Sequence, residues 1–251
     1  MNKLQGKIAV VTGGNSGIGY AAAAEFIANG AKVIITGRNA EKVARAAAEL
    51  GATGLVADQA NLSDLDRLVA EVKKQFGSVD VLFVNAGIFT PAPVGHISED
   101  TYDTQMDINF KGAVFTVQKF LPILNEGASV INLSSVNAYT GMANTAIYAA
   151  SKAALNSFTR TAATELASRK IRVNAVNPGP VATPIFEKVG MPEADLHAFA
   201  GAMQNRVPLK QFGTPEAIAK LVTFLASDDA WFITGAEYNI DGGINVNPVL
   251  S

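Results

Sequence analysis

The sequence contains no cysteine, and this absence excludes a disulfide framework, a thiolate metal site and a cysteine nucleophile. Histidine is also scarce. His96 and His197 are the only two, and neither belongs to a cluster of possible metal ligands. We therefore predict that the protein holds no metal ion, and we expect both histidines to lie in loops or on the surface.

Charge is sparse as well. Charged residues make up 17% of the chain, the formal net charge is -2, and lysine and arginine form no basic stripe. No apolar stretch reaches the roughly 18 residues of a membrane-spanning helix without a polar break, and the N-terminal residues show no signal pattern. These absences predict a cytoplasmic protein that binds neither nucleic acid nor a membrane.

Apolar residues, by contrast, are abundant: they make up 49% of the chain, and the mean hydropathy is +0.20. Short apolar runs alternate with helix-like segments throughout, beginning with a strand over residues 8–11 that a glycine-rich turn follows. Such alternation requires crossover connections, and therefore a parallel sheet with helices on both faces. The sequence predicts a three-layer, doubly wound α/β fold of about seven strands, in one domain spanning residues 1–251.

Cap and breaker residues give further local predictions. Ser63 is predicted to begin a helix, and a long helix is predicted from Ser98 to about residue 121, carrying Asn109. Trp231 is expected in the core or in an interface. Between residues 180 and 212, three prolines interrupt any regular pattern, so this segment is predicted to be a mobile substrate lid. These are Pro184, Pro192 and Pro208.

A glycine-rich turn joins the first strand to the first helix. Gly13, Gly17 and Gly19 would let the backbone turn tightly and approach a pyrophosphate, whose charge the amides at the helix N-terminus would meet. A turn rich in glycine is weak evidence by itself. Its place in a strand-helix-strand unit favours nucleotide binding over an ordinary loop.

The end of the second strand indicates which nucleotide binds. An NAD site usually has an acidic residue there, which accepts hydrogen bonds from the ribose. This chain has Gly37 and Arg38 instead. A guanidinium binds a 2′-phosphate through paired hydrogen bonds, so we predict NADP(H) in preference to NAD(H). The alternative is a solvated arginine at a turn.

Tyr148 and Lys152 are four residues apart in a predicted helix, which places both on one helix face. A cation beside a phenol favours the phenolate and is expected to lower the pKa of the phenol. The pair would then supply a proton donor that works near neutral pH. The alternative is a tyrosine and a lysine on the surface of an ordinary helix.

In combination, these motifs resemble those of the short-chain dehydrogenase/reductase family. The resemblance rests on the glycine-rich turn, Asp58, Asn85-Ala86-Gly87, Asn109, Ser135, Tyr148 with Lys152, and Pro178-Gly179 to Thr183. It extends from Gly6 to Gly243 and implies a Rossmann fold of the single-domain branch, which uses NAD(P)(H). One departure is Val84, where the family's more usual form has a second asparagine.

The resemblance also implies roles for these residues. Asn109, Ser135, Tyr148 and Lys152 would be catalytic, with a water-mediated link from Asn109 to Lys152. Asp58 would lie beside the adenine, residues 85–87 would line the cofactor, and the segment from Pro178 would hold the nicotinamide. The cofactor-binding residues are then Gly13, Asn15, Ser16, Gly17, Ile18, Gly19, Gly37, Arg38, Asp58, Asn85, Ala86, Gly87, Tyr148, Lys152, Pro178, Gly179, Val181 and Thr183.

The chemistry fits these roles. Hydride transfer to a ketone builds negative charge on oxygen, so the site needs a proton donor and a second hydrogen-bond donor. Tyr148 would supply the proton, and Ser135 would hydrogen-bond the carbonyl oxygen. Ser134 is adjacent, but successive side chains of a strand point to opposite faces, and the family's usual spacing favours Ser135.

The leading hypothesis is an NADP(H)-dependent oxidoreductase that reduces ketones to secondary alcohols reversibly. The alternatives are a 3-oxoacyl-[acyl-carrier-protein] reductase, which Arg169, Lys170 and Arg172 would serve as a docking face, and a non-catalytic nucleotide-binding module. The resemblance suggests a homotetramer. We expect an apolar pocket for bulky hydrophobic ketones. Its candidate residues are Phe89, Tyr139, Met142, Ile185, Phe186, Met191, Phe199 and Met203.

Overall fold

The computed structural model describes residues 2–183 and 193–246, with side chains of the second range from residue 200 onward. Seven strands form one parallel sheet in the order β3-β2-β1-β4-β5-β6-β7. Every neighbouring pair is parallel. The strands are β1 Ile8–Val11, β2 Lys32–Gly37, β3 Thr53–Val56, β4 Val79–Val84, β5 Leu124–Leu133, β6 Arg172–Pro178 and β7 Glu237–Ile240.

Helices cover both faces of the sheet, which confirms the predicted doubly wound Rossmann fold. They are α1 Gly17–Ala28, α2 Ala40–Leu50, α3 Leu62–Phe76, α4 Glu99–Met106, α5 Gly112–Phe120, α6 Ala146–Leu166, α7 Glu193–Arg206 and α8 Pro215–Ala226. One core lies between the sheet and α1, α2 and α8, and the other between the sheet and α3, α5 and α6. In β1, Ala9 and Val11 contribute to the first core and Val10 to the second, as expected of a central strand.

The sheet order places β1 beside β4, although β2 and β3 follow β1 in the chain. In open α/β sheets, ligands bind at such a switch point, outside the carboxyl ends of the strands. Thr12 fixes this junction, because its Oγ1 accepts hydrogen bonds at 3.0 Å from the amides of Asn85 and Ala86. The glycine-rich turn after β1 and the turn after β4 are therefore held together.

Two predictions of helices are wrong. Helix α3 begins after Asn61, whose side chain accepts hydrogen bonds from the amides of Ser63 and Asp64, so Ser63 is inside the helix. The long helix predicted from Ser98 is divided into α4 and α5 by a π-helical turn, Asp107–Lys111. Asn109 lies in that turn, and its side chain is bound to the backbone of another segment, which a helical pattern does not reveal.

The segment 180–212 contains a helix that sequence analysis missed. Helix α7 spans Glu193–Arg206, with Pro192 directly before it and Pro208 after it, so these prolines flank the helix and do not interrupt it. Residues 184–192 lie outside the described residues, and the mobile lid remains a prediction. Trp231 is not in the core, because it is 74% exposed.

Candidate active site

A cavity of about 690 Å³ lies at the carboxyl ends of the central strands. It extends from Ile18, in the first turn of α1, past Gly87 to Ser135 and Tyr148. Its wall also includes Asn85, Lys152, Pro178, Gly179, Val181 and Thr183. The structure therefore brings together the two regions that sequence analysis assigned to nucleotide binding and to catalysis.

Tyr148 lies in the first turn of α6, and its ring contacts the ring of Phe89 edge-on, with centroids 5.2 Å apart. Burial raises the pKa of the Tyr148 phenol, and a hydrogen bond from the Ser135 side chain lowers it by a smaller amount. The net effect is an upward shift. The expected net lowering of the pKa of Tyr148 is therefore not found, because burial outweighs the hydrogen bond from Ser135.

Lys152 is also held inside the protein, with 3% of its surface exposed. Its Nζ donates a hydrogen bond of 2.7 Å to the carbonyl oxygen of Leu133 and lies 5.7 Å from the centroid of the Tyr148 ring. Burial lowers the pKa of Lys152 to about 8. The ammonium is thus close to the phenol but is positioned by the end of β5.

Two serines follow β5, and their side chains have different partners. Ser135 Oγ accepts a hydrogen bond from the amide of Asn137 at 3.1 Å and also interacts with the Tyr148 phenol. Ser134 Oγ donates to the backbone carbonyl of Lys152 at 3.1 Å. Ser134 therefore attaches the strand to α6, and the hydroxyl beside the phenol belongs to Ser135.

Asn109 is 1% exposed, and three hydrogen bonds hold its amide group. Its Oδ1 accepts from the Ile88 amide at 2.8 Å, and its Nδ2 donates to the Ile88 carbonyl at 2.9 Å and to Ser151 Oγ at 3.2 Å. A Cβ atom on Gly87 would lie 3.2 Å from Asn109 Oδ1 and 3.4 Å from Lys152 Nζ. The two side chains therefore approach the same glycine from different elements, and the water-mediated link between them remains a prediction.

The glycine-rich turn has the geometry that close approach to a pyrophosphate requires. Gly13 and Gly17 have φ angles of 65° and 56°, in the left-handed region that favours glycine. A Cβ atom on Gly19 would lie 2.5 Å from both the Gly13 carbonyl oxygen and Asn85 Nδ2. The first turn of α1 contains no acidic residue, so no carboxylate competes for its amides.

At the end of β2, the side chain of Asn15 occupies the space above Gly37, where a Cβ atom would lie 2.4 Å from Asn15 Oδ1. Arg38 is exposed, and it forms no ion pair within the described ranges, 2–183 and 193–246. Asp58 lies after the neighbouring strand, and its Oδ1 accepts from the Ala60 amide at 3.0 Å.

The wall of the cavity on the substrate side is more polar than predicted. Phe89, Met142 and Met203 contribute to it as expected, whereas the polar residues Asn137, Thr140, Asn205 and Arg206 were not among the predicted lining residues. Tyr139 is directed elsewhere: its hydroxyl donates to Glu237 and accepts from Asn156 and Asn177. The predicted residues Ile185, Phe186 and Met191 lie outside the described residues, as does the side chain of Phe199.

Part of this difference could have been anticipated. Asn137 and Thr140 follow Ser135 so closely that the loop after β5 had to border the site. Met203 was predicted there as an apolar residue of the lid, but because helix α7 was missed, sequence analysis did not show that Arg206, three residues further on, shares its helix face.

Two features are absent from the residues that the structure describes. No helix there is long and apolar enough to cross a bilayer. Within those same residues, no three histidine, aspartate or glutamate side chains are arranged to hold a metal ion.

The fold and this site define a dinucleotide-binding oxidoreductase. A family model described as "Enoyl-(Acyl carrier protein) reductase" matches residues 13–245. The chain belongs to the short-chain dehydrogenase/reductase family, whose members bind nicotinamide cofactors and act on CH–OH or C=O groups.

Similar proteins cover nearly the whole chain. A 3-oxoacyl-[acyl-carrier-protein] reductase, FabG, of Thermotoga maritima is 39% identical over 96% of this chain and 99% of its own. The NADP-dependent (R)-specific alcohol dehydrogenase of Lentilactobacillus kefiri is 33% identical over 96% of this chain and 98% of its own. Among solved structures, a blue fluorescent protein from a metagenomic library in complex with NADPH superposes with a TM-score of 0.88, at 34% identity, over 96% of this chain and 99% of its own.

Proposed function

We propose that this protein reduces ketones to secondary alcohols with NADPH, and catalyses the reverse oxidation, with Tyr148 as the general acid and base. The observation that carries the proposal is the cavity that Tyr148, Ser135 and Lys152 line together with the residues expected at the nicotinamide. The similarity to an NADP-dependent alcohol dehydrogenase supports the same reaction.

The residues present fit a dinucleotide. No side chain caps the amides at the start of α1, and the glycines of the turn allow the backbone to pack tightly against Ile35 and Asn85. Gly13, Asn15, Ser16, Gly17, Ile18 and Gly19 would hold the pyrophosphate, Asp58 the adenine, Asn85, Ala86 and Gly87 the central part, and Pro178, Gly179, Val181 and Thr183 the nicotinamide. When bound, the cofactor supplies or accepts the hydride.

The side chains of this chain would manage the proton and the charge on oxygen. Since burial raises the pKa of Tyr148, the phenol is protonated near neutral pH and can donate to the carbonyl oxygen. Ser135 would hydrogen-bond the same oxygen as negative charge develops on it. Lys152, with a pKa of about 8, is mainly cationic at pH 7 and would stabilise the phenolate that proton donation leaves behind.

The preference for NADP(H) is proposed on the basis of Arg38, an exposed guanidinium beside Gly37. Removal of a charge-assisted contact of about 1.5–3 kcal/mol should reduce affinity roughly 10- to 100-fold. We expect Arg38→Ala to raise the KM for NADPH by such a factor and to leave the KM for NADH unchanged. Arg45→Ala is the matched control, because Arg45 is also exposed and pairs with Glu49 on α2. An unchanged ratio of the two KM values in Arg38→Ala would contradict the assignment.

The similarity to FabG raises the alternative of a carrier-bound substrate. The cations expected to form a docking face are engaged within the chain: Arg172 is 8% exposed and donates to the carbonyls of Leu225 and Ser227. Arg169 donates to the carbonyls of Leu121 and Leu124, and Lys170 forms an ion pair with Glu126 at 2.7 Å. These contacts favour a free ketone as the substrate.

Substrate class is tested with NADPH and a panel of free ketones of increasing size, alongside 3-oxoacyl thioesters on an acyl carrier protein. We expect turnover of the free ketones, with the lowest KM for bulky apolar ones, because Phe89, Met142 and Met203 line the wall. Turnover of the thioesters alone would favour the alternative.

We further propose a homotetramer. Trp231 and Phe232 are 74% and 84% exposed, and their rings contact each other at a centroid distance of 5.1 Å in the loop before the edge strand β7. Exposed aromatic pairs of this kind are common at interfaces. Light scattering after size exclusion should give four times the mass of the chain, and a monomer would contradict the proposal.

A further inference from the structure

Gln59 follows Asp58 in the loop after β3, and its side chain turns away from the surface. The residue is 5% exposed. Its Nε2 donates to the carbonyl oxygen of Ala86 at 3.2 Å and to that of Ile108 at 3.0 Å. One amide group therefore joins the loop after β3 to the turn after β4 and to the π-helical turn that carries Asn109.

A second contact shows how closely these segments fit. A Cβ atom on Gly112, the first residue of α5, would lie 2.6 Å from the Gln59 carbonyl oxygen and 2.9 Å from Gln59 Cγ. Any larger side chain at that position would displace the loop. The absence of a side chain at Gly112 thus permits Gln59 to reach the π-helical turn.

The start of the loop lies beside Gly37, next to the residues proposed for the adenosine end of the cofactor site. The amide of Ala57 donates to the carbonyl of Gly37 at 3.1 Å, so the loop is attached beside Arg38. From Gln59 the contacts continue through Ile108 to Asn109, which is hydrogen-bonded to Ser151 on α6, and Ser151 Oγ donates to the Tyr148 carbonyl at 2.7 Å. Together with the covalent links between adjacent residues, these hydrogen bonds connect the loop beside Arg38 to the backbone of Tyr148.

A side chain of the same shape but without the amide group could not replace Gln59, because it could not donate these hydrogen bonds. Its Oε1 has no hydrogen-bond partner among the residues that the structure describes, so the contribution of the side chain lies in its two donated bonds. Without them, the half-buried carbonyl of Ala86 and the buried carbonyl of Ile108 lose a donor, and the two turns lose their common anchor.

We propose that Gln59 is a positioning residue that sets Gly87 and Asn109 relative to the adenosine end of the cofactor site. The proposal rests on the function proposed above, because the alignment it provides is that of the reacting groups with a bound nicotinamide nucleotide. Gln59 itself does not touch the reacting atoms.

Steady-state kinetics test the proposal with Gln59→Met, which keeps the length of the side chain and removes the donor. Loss of a buried hydrogen bond corresponds to about a tenfold effect, so we expect kcat to fall roughly tenfold, with the dissociation constant of NADPH changed by less than about threefold. Gln75→Met, at an exposed glutamine of α3, is the control and should leave both values unchanged.

A double-mutant cycle distinguishes positioning from general loss of structure. If Gln59 acts through the turn that carries Asn109, adding Gln59→Met to Asn109→Ala should lower kcat by no more than about twofold further. An equal tenfold loss in both backgrounds, or an unchanged kcat in the folded single variant, would overturn the proposal. Should Gln59→Met fail to fold, Gly112→Ala perturbs the same contact from the opposite side and should show the same dependence on Asn109.

Hydrogen exchange supplies a readout that does not require turnover. In the wild type, saturation with whichever nicotinamide nucleotide binds should slow exchange both at residues 13–19 and at residues 107–112. In Gln59→Met, we expect protection of 13–19 to persist and protection of 107–112 to fall at least threefold. Equal protection of both segments in the variant would overturn the role of Gln59, whereas failure of the wild type to reduce any ketone would overturn only the proposed function.

Discussion

Replacement of Lys152 should make the stability of the protein depend less on pH. Lys152 is 3% exposed, and burial lowers its pKa from 10.5 to about 8. The folded protein therefore binds fewer protons at this site than the unfolded chain does between those two pH values. The free energy of unfolding therefore rises with pH between about 8 and 10.5, and below pH 8 the buried charge destabilises the folded state to its full extent.

The shift sets the size of the effect. At 1.36 kcal/mol for each pKa unit, the buried ammonium of Lys152 destabilises the fold by about 3 kcal/mol at pH 7, and about 1 kcal/mol of this is recovered by pH 9. Lys152→Met removes the charge and keeps the length of the side chain. It also leaves the Leu133 carbonyl without its donor, but that loss does not depend on pH.

The measurement is urea unfolding of both proteins without nucleotide, at pH 7 and pH 9 and at one protein concentration. The free energy of unfolding of the wild type, relative to Lys152→Met, should increase by about 1 kcal/mol between the two pH values. Lys42→Met, at an exposed lysine of α2, is the control, and its difference from the wild type should be the same at both. If the Lys152→Met difference is also the same at both, the ammonium is not destabilised by burial and the reasoning is refuted.

Two further outcomes follow from the site. Tyr148→Phe should lower kcat by about 10³-fold, which is the range of a general acid. The NADPH dissociation constant should stay within about threefold, because the ring and its contact with Phe89 remain. A kcat within tenfold of the wild type would rule out Tyr148 as the proton donor. Gly19→Ala should abolish nucleotide binding, as measured by NADPH fluorescence. The added Cβ would lie 2.5 Å from the Gly13 carbonyl oxygen and would force the turn open. Retained affinity would show that the turn is not the phosphate site.

Most of the sheet could be predicted because its strands are short apolar runs between recognisable turns. Helix boundaries depended on local competition between caps: Asn61 and Ser63 are both acceptable N-cap residues, and the structure uses Asn61. Helix α7 was missed since Pro192 and Pro208 were interpreted as interruptions, although prolines just outside a helix are compatible with it.

The site was predictable to the extent that its residues act through spacing along the chain. Tyr148 and Lys152 lie near each other because four residues separate them in a helix. The degree of burial depends on tertiary packing, and it reverses the expected direction of the pKa shift of Tyr148. The π-helical turn at Asn109 likewise depends on hydrogen bonds to Ile88 and Ser151, residues that lie 21 and 42 positions away.

The pairing of β1 with β4 also determines at what stage of folding the proposed nucleotide site can form. Thr12 and Asn85 meet across 73 positions of chain, so the contact that fixes the proposed phosphate-binding turn cannot form while the first strand, helix and second strand stand alone. Closing a connection of that length delays such contacts relative to local helix formation. The glycine-rich turn is local in sequence, yet the contacts that hold its shape form only when Asn85 has packed against it.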